Sequence, residues 1–123
     1  MAHVVIIEDS PLVIQMLTMV LEGAGHQVTP FERFGQATDA LSTNPPDVVI
    51  TDLNLPDAPR GDVVGQLRAL QGMEPVPIIV ISGRPRRELE ELAAEAGAQG
   101  ALSKDEGMPA ISSQLPSMID ELL

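Results

Sequence analysis

A chain of 123 residues with 44% hydrophobic content has the size and composition of one globular domain, expected to span 1–123. Eighteen Asp and Glu against seven Lys and Arg give a net charge of −11, which repels phosphate backbones and anionic lipid and argues against nucleic-acid or membrane binding. Phe31 and Phe34 are the only aromatic residues and there is no cysteine, so base stacking, thiolate chemistry, disulfides and cysteine-ligated zinc are excluded.

In chain order, Val4–Ile7 is the first of three nearly unbroken β-branched runs; the others are Val48–Ile50 and Val76–Ile81. Such runs suit strands buried on both faces of a parallel sheet. Before it, Met1-Ala2-His3 has no positively charged leader, and the run itself is too short for a signal peptide or membrane span. A cytoplasmic location is expected. Ser10-Pro11 supplies an N-cap and a first-turn proline. Val13, Met16, Leu17, Val20 and Ala24 then share one helical face, and Gly23 and Gly25 stop the helix. Leu12 and Met19 lie on one flank and Ile14 and Leu21 on the other, leaving Gln15, Thr18 and Glu22 as the wet side.

A weaker strand is predicted at Gln27–Thr29 and a short helix over Gly35–Ser42, ended by Asn44-Pro45-Pro46. Asp62 begins another helix with Val63, Val64, Leu67 and Leu70 inward. A fourth buries Leu89, Leu92, Ala93 and Ala96 and ends at Gly97. The last strand is predicted at Gln99–Leu102, and a fifth helix buries Ile111, Leu115, Met118, Ile119 and Leu122. Pro116 falls inside that last helix and is expected to kink or split it. Five β/α alternations predict an α/β fold: a doubly wound, five-stranded parallel sheet in the order 2-1-3-4-5.

In that topology the carboxyl ends of the strands meet at one edge, where ligands bind. Strand 1 runs into Glu8-Asp9, strand 3 into Asp52, strand 4 into Ser82 and strand 5 into Lys104. Taken singly, each suits a turn or a helix start. Lys104 is the only lysine in the chain, and the convergence of all four ends points to a site. Crowded carboxylates raise one another's pKa, and a divalent cation relieves them; oxygen ligands on an open site favour Mg²⁺. Lys104 and the Ser82 hydroxyl suit phosphoryl oxygens, and aspartate can accept a phosphoryl group covalently. No Walker loop or Gly-x-Gly-x-x-Gly pattern cradles a nucleotide. The two histidines, His3 and His26, stand apart from any nucleophile loop.

Four segments carry a family resemblance: Val4–Asp9 with its acidic pair, Asp47–Pro56 (DVVITDLNLP), Pro77–Gly83 (PIIVISG) and Ala96–Lys104 (AGAQGALSK). In order and spacing the chain resembles the response-regulator receiver domains, the CheY-like phosphoacceptor family with a flavodoxin-like fold. The resemblance implies a signalling module rather than an enzyme with a substrate of its own. It makes Asp52 the phosphoacceptor, Asp9 a Mg²⁺ ligand, Glu8 a ligand through water, and the Asn54 backbone carbonyl a further ligand. Lys104, Ser82 and the amides of Asn54 and Gly83 would hold the phosphoryl group. The implied donor is a sensor histidine kinase or a histidine phosphotransfer protein. Pro11 and Ile14 near Asp9, and Arg84 beside Ser82, are the docking candidates. The downstream partner is a protein of unspecified identity, and the assembly expected is a monomer or weak dimer.

The pattern departs from the family in three places. Ala101 occupies the slot of a switch aromatic. Lys104-Asp105 replaces a Lys-Pro bond that is typically cis, so a trans bond or a rearranged loop is expected. The segment Asp57-Ala58-Pro59-Arg60-Gly61 is one residue longer than usual. The alternative reading is a pseudo-receiver that binds partners without phosphorylation. A Mg²⁺-dependent hydrolase fits less well, because Asn54 stands where its acid would be and the chain lacks length for a cap. A flavodoxin-like redox protein lacks its phosphate loop and aromatic residues.

Overall fold

The computed structural model describes residues 2–58 and 62–123. Five parallel strands, β1 (His3–Ile7), β2 (Gln27–Phe31), β3 (Val48–Asp52), β4 (Ile78–Ser82) and β5 (Gly100–Ser103), form one sheet in the order β2-β1-β3-β4-β5. The predicted order holds, and β1 and β3 are neighbours, pairing Val4 with Val48 and Ile7 with Thr51. Helices α1 (Pro11–Gly23), α2 (Phe34–Thr43), α3 (Val63–Arg68), α4 (Arg86–Ala96) and α5 (Met108–Leu122) connect the strands or follow them, and Lys104–Glu106 forms a 3₁₀ turn after β5.

The apolar strand runs follow from burial on both sides. Val5, Ile7, Val49, Ile78 and Val80 face α2, α3 and α4, while Val4, Ile6, Val48, Ile50, Ile79 and Ile81 face α1 and α5. Alternate residues enter opposite cores, so neither face tolerates polar side chains. The two edge strands read differently: β5 (GALS) is short and half-buried at its start, and β2 extends to Phe31 through Pro30, whose missing donor an edge position accepts. The other strand and helix limits differ from the expected ones by one or two residues, as helix and strand ends commonly do.

Four expectations about the helices need correction. The centre of the buried face of α1 is Leu17 and Leu21, whereas Ala24 is exposed as the C-cap. Thr18 is not on a wet side: its hydroxyl is buried without a partner. In α4, Ala96 is exposed because Leu89 and Ala93 already fill the contact with the sheet. Pro116 does not split α5, which runs as one element from Met108 to Leu122. Ile111, Leu115 and Ile119 are fully buried along one stripe spanning the proline, and this packing outweighs the loss of one backbone donor. Leu70, Met118 and Leu122 are half-buried at the margins of the core.

Other local signals match. Ser10 Oγ accepts from the Val13 amide at 3.4 Å, with Pro11 at the first helical position. Gly97 closes α4 at φ 89°, a left-handed conformation that suits glycine. Leu17 is fully buried and Leu12 is 65% exposed on the same helix. Leu17→Ala is therefore expected to destabilise the fold by about 2–5 kcal/mol, and Leu12→Ala to change it by no more than about 0.5 kcal/mol. Urea unfolding of the two variants checks the contrast, and equal losses would contradict it.

Candidate functional site

The site forms where the chain leaves β1 and β3 in opposite directions along the sheet. Glu8 follows β1 directly, and its amide donates to the Phe31 carbonyl at 3.0 Å, which fixes the strand exit. Glu8 is fully buried, Asp52 at the end of β3 is 4% exposed, and Asp9 is exposed at the rim. Carboxylate oxygens from these three residues lie within 4.8 Å of one another.

Lys104 enters from the far side, at the head of the 3₁₀ turn. Its Nζ donates to Glu8 Oε1 at 2.8 Å and to Asp52 Oδ2 at 3.0 Å. The Lys104–Asp105 peptide is trans, since there is no cis bond among the described residues. Of the two alternatives expected, a trans bond or a rearranged loop, the trans bond is present, and Lys104 reaches the acidic pair. The Asn54 amide donates to Asp52 Oδ1 at 2.8 Å, so each Asp52 oxygen has one donor.

The electrostatics separate the two buried acids. Burial is the largest influence on Glu8, and with the neighbouring Asp52 carboxylate it raises the Glu8 pKa from 4.5 to about 7. Burial alone would also raise Asp52. The neighbouring Glu8 carboxyl and the hydrogen bonds from the Asn54 amide and Lys104 overcome it and hold Asp52 below its ordinary value. Burial opposes the Lys104 charge, but Glu8 and Asp52 together raise its pKa. Of the two buried acids, Glu8 is thus the one that holds its proton to higher pH, and Asp52 the one that stays ionised beside the ammonium.

Glu8 Oε2 is buried with no hydrogen-bond partner. An unpaired acidic oxygen beside two further carboxylates is a donor set of hard oxygen ligands, which suits Mg²⁺. Ser82 is 1% exposed, and its Oγ accepts from the Arg84 amide at 3.4 Å. Gly83 lies exposed in the same loop, and Arg84 pairs with Glu88 at 2.8 Å. Pro11 and Ile14 line a shallow groove with Phe31 and Gln36. The predicted catalytic and metal residues therefore share one edge of the sheet, Ser82 as the last residue of β4 and Gly83 just beyond it in the β4–α4 loop. His3 bonds Thr29 and His26 accepts from the Ala2 amide, at the opposite edge.

Sequence reasoning missed three polar devices. Asp57 caps α2 from the loop after β3, accepting from Phe34 N at 2.8 Å and Gly35 N at 3.0 Å; these bonds, Gly35 first, hold its carboxyl below the ordinary range. The absence of a capping side chain at Arg33 was the available signal. Arg68 bonds the Met73, Glu74, Val76 and Gly97 carbonyls and the Gln99 side chain, tying the amino-terminal edge of the sheet. Ser103 bonds the Arg84 carbonyl. The expected lengthening of the segment from Asp57 falls partly on residues 59–61, outside the described residues.

The response regulator receiver domain model matches residues 4–115. The chain is 35% identical over 115 residues to the KDP operon transcriptional regulatory protein KdpE of Escherichia coli, covering 94% of this chain and 50% of that protein. It is 29% identical over 104 residues to the protein PilH of Pseudomonas aeruginosa, covering 85% and 86%. The chain spans about half the length of the KdpE proteins it matches. In structure it is similar to the chemotaxis response regulator CheY4 of Vibrio cholerae (TM-score 0.83, 24% identity, 96% and 98% covered). It is also similar to the receiver domain of the sensor histidine kinase PA1611 of Pseudomonas aeruginosa, which has a magnesium ion coordinated in its active-site cleft (TM-score 0.78, 22% identity, 97% and 98% covered).

The raised Glu8 pKa has a defined consequence for metal-free protein. The folded state holds this proton more tightly than the unfolded chain, so the contribution is complete below about pH 4.5 and is lost as pH rises through about 7. Thermal unfolding in chelator should show the midpoint falling across that window, and Glu8→Gln should flatten the fall. An unchanged slope in the variant would contradict the assignment. The match over residues 4–115, nearly the whole chain, shows that this chain belongs to the response regulator receiver domain family.

Proposed function

We propose that this chain takes a phosphoryl group onto Asp52 from a phosphohistidine, in a Mg²⁺-dependent reaction, and signals by protein contact or onward relay. The observation that carries the reading is the state of Asp52: a buried carboxylate kept ionised by Lys104 and the Asn54 amide, and so available as a nucleophile. An Asp52 oxygen attacks phosphorus, the O–P bond forms and the P–N bond to the donor imidazole breaks. The imidazole leaves as the neutral base with the proton on its other nitrogen.

Asp9, Asp52 and the Asn54 carbonyl would hold Mg²⁺, with Glu8 acting through water. The ion would supply charge neutralisation for the transferring oxygens. The chain's own residues do the rest. Lys104 leaves the acidic pair for the phosphoryl oxygens, the amides of Asn54 and Gly83 donate to them, and the Ser82 hydroxyl turns from Arg84 to do the same. A bound cation would favour the carboxylate form of Glu8, whose proton would then go to solvent. Donor proteins would dock beside Asp9, on Pro11 and Ile14, with Arg84 at the opposite rim.

Intact mass after incubation with a small acyl phosphate tests the reading. A gain of one phosphoryl group in the presence of Mg²⁺, lost in chelator and in Asp52→Asn, is expected. A folded chain that gains nothing from either a small donor or a phosphorylated histidine kinase would favour the phosphorylation-independent pseudo-receiver. Ile14→Glu is expected to slow transfer from the kinase severalfold while leaving the small-donor reaction unchanged. Equal kinase transfer would remove the docking assignment.

A further inference from the structure

Strands β4 and β5 end side by side, with Ser82 the register partner of Ser103. Ser103 is 1% exposed, and its hydroxyl is fully engaged. Oγ donates to the Arg84 carbonyl at 2.6 Å and accepts from the Asp105 amide at 3.3 Å. The other side of Arg84 is held too, its amide donating to Ser82 Oγ at 3.4 Å. Two residues on, Arg86 opens α4 and pairs with Glu106 of the 3₁₀ turn at 3.6 Å. The turn is thus fastened to the start of α4 at both ends, by a buried hydroxyl and by an exposed ion pair. Its first residue is Lys104, which is bound to Glu8 and Asp52.

We infer that Ser103 is a positioning residue that transmits the state of Asp52 to the start of α4. The inference rests on the phosphoacceptor reading above. A phosphoryl group adds roughly −1.5 to −2 charge at the point where Lys104 and Ser82 are now held in place. Lys104 moving to the new oxygens drags the 3₁₀ turn, and Ser82 turning to them releases the Arg84 amide. Ser103 grips both moving parts, the Arg84 carbonyl and the Asp105 amide, so they shift as one body and carry the first turn of α4. Of the two fastenings, the ion pair is exposed and weak, which leaves the buried hydroxyl as the dominant link. Ala101, two residues earlier on β5 and opposite Val80, offers only a methyl group and cannot bridge to the loop.

The test is an amide NMR comparison of the chain with and without Mg²⁺ and beryllofluoride, which mimics the acyl phosphate. In the wild type, the amides of Asp52, Asn54, Ser82 and Arg86–Leu89 are all expected to shift. In Ser103→Ala, and in the volume-preserving Ser103→Cys, the Asp52, Asn54 and Ser82 amides should shift as before. The Arg86–Leu89 shifts should fall at least about twofold with the link removed. Ser103→Thr keeps the hydroxyl and should restore them. Full Arg86–Leu89 shifts in both Ala and Cys variants overturn the inference alone. A wild-type chain whose Asp52 and Ser82 amides ignore the reagent overturns the phosphoacceptor reading, and the inference with it.

Discussion

The molecule is organised around one ammonium group placed between two buried carboxyl groups. Lys104 crosses from the end of β5 to Glu8 and Asp52, residues 96 and 52 positions away in sequence. Three ionisable groups with little access to water are costly to bury unless their charges and hydrogen bonds match. Here burial pushes the Glu8 pKa up to about 7 while Asp52 is held below its ordinary value beside the Lys104 ammonium, so the two acids are not forced to carry charge together. Glu8 Oε2 alone remains unpaired. That unmet oxygen lies in a carboxylate cluster with Asp52 and exposed Asp9 that could hold a cation.

The sheet explains why such a cluster survives. β1 and β3 are central strands, buried on both faces by Val, Ile and Leu side chains. The acids cannot retreat into either core, and they cannot reach solvent without unravelling a strand end. The topology therefore fixes their positions before any ligand arrives, and leaves the loops after β3 and β4 to respond. The polar ties differ accordingly. Arg68 and Gln99 knit the opposite edge, where carbonyls of the α3–β4 and α4–β5 connections converge. At the carboxyl-terminal edge, the Ser82 and Ser103 hydroxyls make fewer bonds, to the Arg84 amide and carbonyl and the Asp105 amide.

The strands and the acidic site were legible in the sequence for a simple reason. Double burial demands unbroken apolar runs, and the residue that ends such a run must lie at the sheet edge, so Glu8, Asp52 and Ser82 announced their positions. Lys104 stood out as the only lysine. What remained hidden depends on contacts distant in sequence. Asp57 caps a helix that starts 23 residues earlier, and Ser103 bonds a carbonyl 19 residues away. Periodicity also misjudged degree of burial: it placed Thr18 on a wet side and Ala96 inside, because helix rotation is set by the neighbours. Pro116 read as a break, yet the stripe of Ile111, Leu115 and Ile119 holds α5 together across it.

The central claim is that the Glu8–Asp52–Lys104 cluster is a proton-holding cation site. Calorimetric titration of Mg²⁺ into the metal-free chain near pH 7, in buffers of different ionisation enthalpy, tests it most directly. The account predicts one ion bound per chain with release of a fraction of a proton, and loss of that release in Glu8→Gln. Binding with no proton release, or no binding at millimolar Mg²⁺, would contradict it.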